Sequence, residues 1–201
     1  QVLSNINGNM GILYTDMGKL DDALNHFDES YKIFDQLNNI RGKALINYEL
    51  SKIYILQEEY QKSIEKLDEG AEILKNIGDL PYYINSLLLL AKSHRLNNNK
   101  DKCKETLDTI LKNIEMIKSD SMKMDIEIEQ NMYDMFSNKN YDTNKFIKEE
   151  NLNEEQKAYF HFNVWKYKMD KTSKDTAFNI YTTLQKKTPK HFYTYFIDKL
   201  K

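Results

Sequence analysis

The chain has 201 residues, a formal net charge of −2, two prolines, six glycines and one cysteine, with 40% of residues hydrophobic and 12% aromatic. Cys103 alone excludes an internal disulfide and suits a reducing cytosol, and no apolar run reaches the ~18 residues of a membrane span. All but Arg41 and Arg95 of the 29 basic residues are lysine, and 31 acidic residues oppose them. Arginine forks read phosphate and guanine, so direct nucleic-acid contact by this chain is not expected.

The first element is a helix carrying Met10, Gly11 and Tyr14, with Met10 and Tyr14 one turn apart on one face. Gly18 is placed to end it in a left-handed cap. A second helix follows with Leu20, Ala23, Leu24 and Phe27 as its apolar stripe and Asp21 or Asp22 in its first turn. Adding 40 to Met10, Gly11, Tyr14, Ala23, Phe27 and Ser30 gives Leu50, Ser51, Tyr54, Ser63, Leu67 and Gly70. Adding 40 again gives Leu90, Ala91, His94, Cys103, Leu107 and Ile110. The size pattern repeats three times without a gap over residues 3–118. Asn38–Asn39 and Gly78–Asp79 close units, and Pro81 falls near a helix start, where its missing N–H costs little. Tyr14 and Tyr54 are expected to be largely buried, with Gly11, Ser51 and Ala91 at close helix contacts.

Beyond residue 118 the pattern weakens. Ser119–Asp120–Ser121 reads as a linker and N-cap. Met132, Phe136, Tyr141 and Phe146 outline a fourth unit. Asn153 and Gln156 have the spacing of a capping box ahead of a helix with Phe160, Phe162, Trp165 and Met169. Ser173 reads as the cap of the next helix, carrying Ala177, Ile180, Tyr181 and Leu184. Thr188–Pro189 reads as N-cap and first residue of a last helix with Phe192, Tyr195, Phe196 and Leu200. Its aromatics suit either an end cap or a homodimer contact through the C-terminal helices. The absence of an initial methionine at Gln1 leads us to expect an excised fragment.

The segments GILYTDMGKLDDALNHFDESYKIF and SKIYILQEEYQKSIEKLDEGAEIL resemble tetratricopeptide repeats (TPR). The common unit has 34 residues, and these 40-residue units are similar to the long-helix subclass. The resemblance implies an all-α, right-handed solenoid of about five helical hairpins plus a terminal helix. Residues 1–118 would be three repeat units and 119–201 divergent hairpins and a capping helix of the same solenoid. It also implies an inner surface that binds a peptide or protein segment. The 40-residue units, Lys/Asn/Ile-rich composition and aromatic C-terminal helices are similar to cytoplasmic peptide-pheromone receptors of Gram-positive bacteria. That likeness implies a quorum-sensing transcription regulator that often dimerises. A TPR scaffold segment of a sensor kinase or assembly factor is the competing reading.

A helical wheel sets Asn5, Asn9, Ile12 and Asp16 opposite the Met10/Tyr14 face. Their equivalents are Leu45, Glu49, Lys52 and Leu56, then Asn85, Leu89, Lys92 and Leu96, with Tyr48, Leu88 and Arg95 bordering. Carboxamides would bond a ligand backbone, Lys52, Lys92 and Arg95 would meet an acidic group, and Ile12, Tyr48 and Leu89 would take apolar side chains. His26, His94, His161 and His191 are far apart, and no H-E-x-x-H, C-x-x-C or calcium-loop pattern occurs. His94 takes the place of Tyr14 and Tyr54 as a packing residue, and Cys103 that of Ala23 and Ser63. Glu58–Glu59 and Glu149–Glu150 read as solvated helix ends. No catalytic residue, metal site or cofactor is expected.

Overall fold

A computed structural model describes residues 2–138 and 149–201. It is all-α among those residues, in two compact units, Gln1–Ile110 and Leu111–Lys201. The first unit holds α1 (Val2–Asp16), α2 (Leu20–Gln36), α3 (Ile40–Leu56), α4 (Tyr60–Asn76), α5 (Leu80–Leu96) and α6 (Lys100–Leu111). These form three successive hairpins. The second unit holds α7 (Asp120–Ser137), α8 (Glu154–Lys168), α9 (Lys171–Lys187) and α10 (His191–Leu200). Tyr141 and Phe146, assigned to a fourth hairpin, lie outside the described residues.

The first unit is built on one turn used five times. Gly18, Asn38, Glu58, Gly78 and Asn98 stand 20 residues apart, and each has φ between 50° and 75°. The amide that follows each one closes the turn onto the preceding helix. Lys19 N donates to Tyr14 O at 2.9 Å, Asn39 N to Phe34 O at 2.8 Å and Glu59 N to Tyr54 O at 2.8 Å. Asp79 N donates to Leu74 O at 3.0 Å and Asn99 N to His94 O at 2.8 Å. This six-to-one bond at a left-handed residue satisfies carbonyls that a helix end leaves open. Helices α2 to α5 are therefore all 17 residues long. The helices that open the second and third hairpins also begin with a side-chain cap: Asn39 Oδ1 accepts from Gly42 N at 2.9 Å, and Asp79 Oδ1 from Tyr82 N at 3.5 Å. Asp21 and Asp22 both sit in the first turn of α2.

Small residues let the helices approach. A Cβ on Gly11 would lie 2.6–2.8 Å from the ring of Phe27, itself fully buried. Ser51 and Ala91, the equivalents of Gly11, are 0% exposed. Ser30 Oγ donates to Ser4 O at 2.8 Å within the first hairpin, and Ser63 Oγ meets Ser93 Oγ at 2.9 Å between α4 and α5. Ala23, Phe27, Phe34, Ile46, Leu50 and Ile53 form the core around which Tyr14 and Tyr54 pack. Those tyrosines are half-buried rather than largely buried. Their rings lie at the open edge: Tyr14 stacks on His26 at 5.1 Å under Lys19, and Lys62 Nζ sits 5.7 Å from the Tyr54 ring.

In the second unit Ser119 caps α7 and the Asn153/Gln156 capping box forms, with Gln156 Nε2 also donating to Asp125 Oδ1 at 2.7 Å. Three sequence expectations are displaced by local bonding. The cap of α9 is Asp170, whose Oδ2 accepts from Ser173 N at 2.6 Å, and Ser173 lies buried inside the helix. Met169 does not belong to α8 but ends it at φ 57°. Helix α10 begins at His191, not at Pro189, because Gln185 Oε1 accepts from Lys190 N at 3.0 Å and carries the chain one step further. The aromatics of α10 pack inward: Phe196 stacks on Tyr181 at 4.9 Å and meets Phe162 edge-on at 4.7 Å.

Two substitutions check this account by chemical denaturation. Of the five turn residues, Glu58 alone is neither glycine nor asparagine. A left-handed side-chain residue costs roughly 1–2 kcal/mol, against about 0.5–1 kcal/mol for the entropy of glycine. Glu58→Gly should therefore raise stability by about 0.5–1 kcal/mol. Gly11→Ala should lower it by ~1–3 kcal/mol, because the fully buried Phe27 ring must move. An unstable Glu58→Gly or a neutral Gly11→Ala contradicts the geometry.

Candidate functional site

Helices α1 and α3 frame a cavity of about 370 Å³, with Tyr82 of α5 at its edge. Helix α1 contributes Ser4, Asn5, Gly8, Asn9 and Ile12; α3 contributes Leu45, Ile46 and Glu49; Phe27 and Phe34 of α2 line it as well. The wheel geometry explains the α1 wall. Asn5, Asn9 and Ile12 follow at intervals of four and three, so they project on one side, while Gly11 faces α2. Asn5 and Asn9 are exposed, and Ile12 is 39% exposed.

Five of the fifteen strip and border residues named from the sequence thus meet at one cavity: Asn5, Asn9, Ile12, Leu45 and Glu49. Lys52 Nζ bonds Glu49 Oε2 at 2.7 Å and lies 5.6 Å from the ring of Tyr48, so the lysine is held against its own helix. Asp16 is exposed near the end of α1, and Asn85, Leu89 and Lys92 are half-buried along α5; none lines the cavity. Arg95 differs most from expectation. It is 2% exposed, so its guanidinium belongs to the interior rather than to the border of an open strip.

Tyr82 was not selected by the wheel. It occupies the first-helix position held by Val2 and Gly42 in the earlier units, where no aromatic recurs. The signal for it lies across repeats: the Arg41 guanidinium sits 5.3 Å from the Tyr82 ring, and Arg41 Nε bonds Asp79 Oδ2 at 2.8 Å. This cluster ties the second hairpin to the start of the third and orients Tyr82.

Chemically the cavity offers two carboxamides, each a donor and an acceptor, beside apolar Ile12, Leu45 and Tyr82 and one ion-paired carboxylate. That set can bind a peptide group and an apolar side chain together. Among the described residues no cluster of three or more His, Cys, Asp or Glu is placed to hold a metal ion. Nor is any helix among them long and apolar enough to cross a membrane. Cys103 is fully buried.

His94 is 7% exposed. Burial pushes its imidazole below the ordinary value, reinforced by Lys102 and opposed by the Asp68 and Glu105 carboxylates. The unfolded chain then binds more protons than the folded one around and below pH ~6.5, so stability falls as the solution is acidified through that range. Replacing His94 with asparagine should flatten this slope between about pH 7 and pH 5, read from urea midpoints. An unchanged slope removes His94 as its source.

Residues 2–75 match the family model of the tetratricopeptide repeat. No curated protein matches the chain. The matched span covers the first hairpin and nearly all of the second, and the third hairpin continues the same 20-residue turn spacing. The match and the repeated hairpins together show that the first unit is built of tetratricopeptide repeats, a domain for protein–protein interaction.

Proposed function

We propose that the first unit binds an extended polypeptide segment, anchored in the cavity between α1 and α3. The observation that carries the reading is the pairing of Asn5 and Asn9 with Ile12, Leu45 and Tyr82 around one cavity. The carboxamides bond the ligand backbone, which gives affinity with limited reading of sequence. The apolar wall takes one side chain and supplies most of the energy, at roughly 25 cal/mol per Å² buried. Charge contributes little. Lys52 already satisfies Glu49, and exposed ion pairs contribute only ~0–1 kcal/mol. Asn85, Leu89 and Lys92 extend the strip along α5.

Within a cell this makes the chain the peptide-sensing part of a cytoplasmic, peptide-responsive transcription regulator. The 40-residue units and the carboxamide-lined cavity support that use. The sequence of the full-length protein separates it from a scaffold: a helix-turn-helix module favours the regulator, and a kinase module or membrane span the scaffold.

Peptides selected from a random library against the folded chain test the site. Asn5→Ala and Asn9→Ala should each weaken the selected peptides about 3- to 10-fold, the value of one net hydrogen bond. Ile12→Asp should abolish binding while the helical circular-dichroism signal is kept. Peptides that bind all three folded variants normally place the site elsewhere.

A further inference from the structure

The groove between the first and second hairpins and the groove between the second and third are one repeat step apart, so each is a control for the other. The first groove holds two half-buried phenols, Tyr31 and Tyr54. Tyr31 donates to Glu69 Oε1 at 3.0 Å, with Lys43 and Lys66 Nζ at 5.0 and 5.7 Å from its ring. Tyr54 has Lys62 Nζ 5.7 Å from its ring and feels the Asp28 and Glu59 carboxylates.

Forty residues on, Tyr31 becomes Ala71 and Tyr54 becomes His94. The neighbours of Tyr31 map onto Tyr83 (from Lys43), Thr106 (from Lys66) and Thr109 (from Glu69). Those of Tyr54 map onto Lys102 (from Lys62), Asp68 (from Asp28) and Asn99 (from Glu59). All six line one cavity of about 490 Å³, together with His94, Leu87 and Leu90. The cavity is therefore lined by the equivalents of the residues that surround the two phenols one repeat earlier. His94, in its wall, has a buried Nδ1 with no hydrogen-bond partner among the described residues.

We propose that this cavity, built from α4, α5 and α6, is a second binding site and that it takes a phenolic ring. Leu87 and Leu90 supply an apolar floor for the ring. Burial pushes the His94 imidazole below its ordinary value and so favours the neutral ring, whose Nδ1 can accept the phenol O–H. Lys102 and Asp68 stand where Lys62 and Asp28 surround that tyrosine. The phenol can come from a tyrosine of a bound polypeptide or from a free small molecule.

The test titrates 4-methylphenol, the side-chain analogue of tyrosine, into the 201-residue chain and follows the methyl resonances of Leu87 and Leu90. Saturable shifts confined to these methyls and their neighbours are expected, with toluene binding more weakly. His94→Tyr should fill the cavity and weaken 4-methylphenol by roughly tenfold or more. Tyr31→Ala combined with Tyr54→His should create a second responding site at Leu50, the equivalent of Leu90. N-acetyl-tyrosinamide binding as well as 4-methylphenol supports the site with a polypeptide tyrosine as its ligand; its exclusion supports the site with a free phenol. The proposal is overturned if the wild-type chain shows no saturable response, if toluene binds as tightly, or if folded His94→Tyr responds unchanged.

Discussion

Everything in the first unit depends on a left-handed residue every 20 positions, closed by the amide that follows it. That bond ends α1 to α5 at the same point of every 20-residue step, and α2 to α5 accordingly share one length of 17 residues. Phe27 can lie on Gly11, and Ser30 can reach Ser4 O, because the turn at Gly18 returns α2 in register along α1. A hairpin alone leaves one apolar face uncovered, and stacking the next hairpin on it covers that face. The candidate cavity is a consequence of the same register. It brings α1, α3 and the first turn of α5 to one place, although α5 lies two repeats after α1 in the chain.

The repeats are alike in frame and unlike in filling, and function lies in the filling. Position 14 of the unit holds Tyr14, Tyr54 and then His94, while the turn geometry around it does not change. The frame tolerates this because backbone bonds, not side chains, set helix length. The second unit shows the opposite case. There the elements are fixed by side chains: the Asn153/Gln156 box, the Asp170 cap and the Gln185 bond to Lys190.

That contrast explains how much could be read from the sequence. Gly18, Asn39, Asp79 and Pro81 are local signals, and each stands where the sequence placed it. Asp170 was missed in favour of Ser173 because both are good caps three residues apart, and only the amide it accepts from distinguishes them. Pro189 suited a first helical position, but a glutamine side chain from the preceding helix intervened. In the candidate site, Asn5, Asn9, Ile12, Leu45 and Glu49 were legible as one helical face carried across repeats. Tyr82 was not, since its place depends on Arg41 and Asp79 reaching between hairpins. Arg95 was assigned to the border of that face by angle alone, and angle does not tell which borders are covered.

The most direct measurement is an experimental structure of the chain with a library-selected peptide bound. The account predicts an extended segment across α1 and α3, its backbone bonded to Asn5 and Asn9 and one apolar side chain between Ile12, Leu45 and Tyr82. A peptide seated on the opposite side, against α2 and α4, with the α1–α3 cavity open, would contradict it.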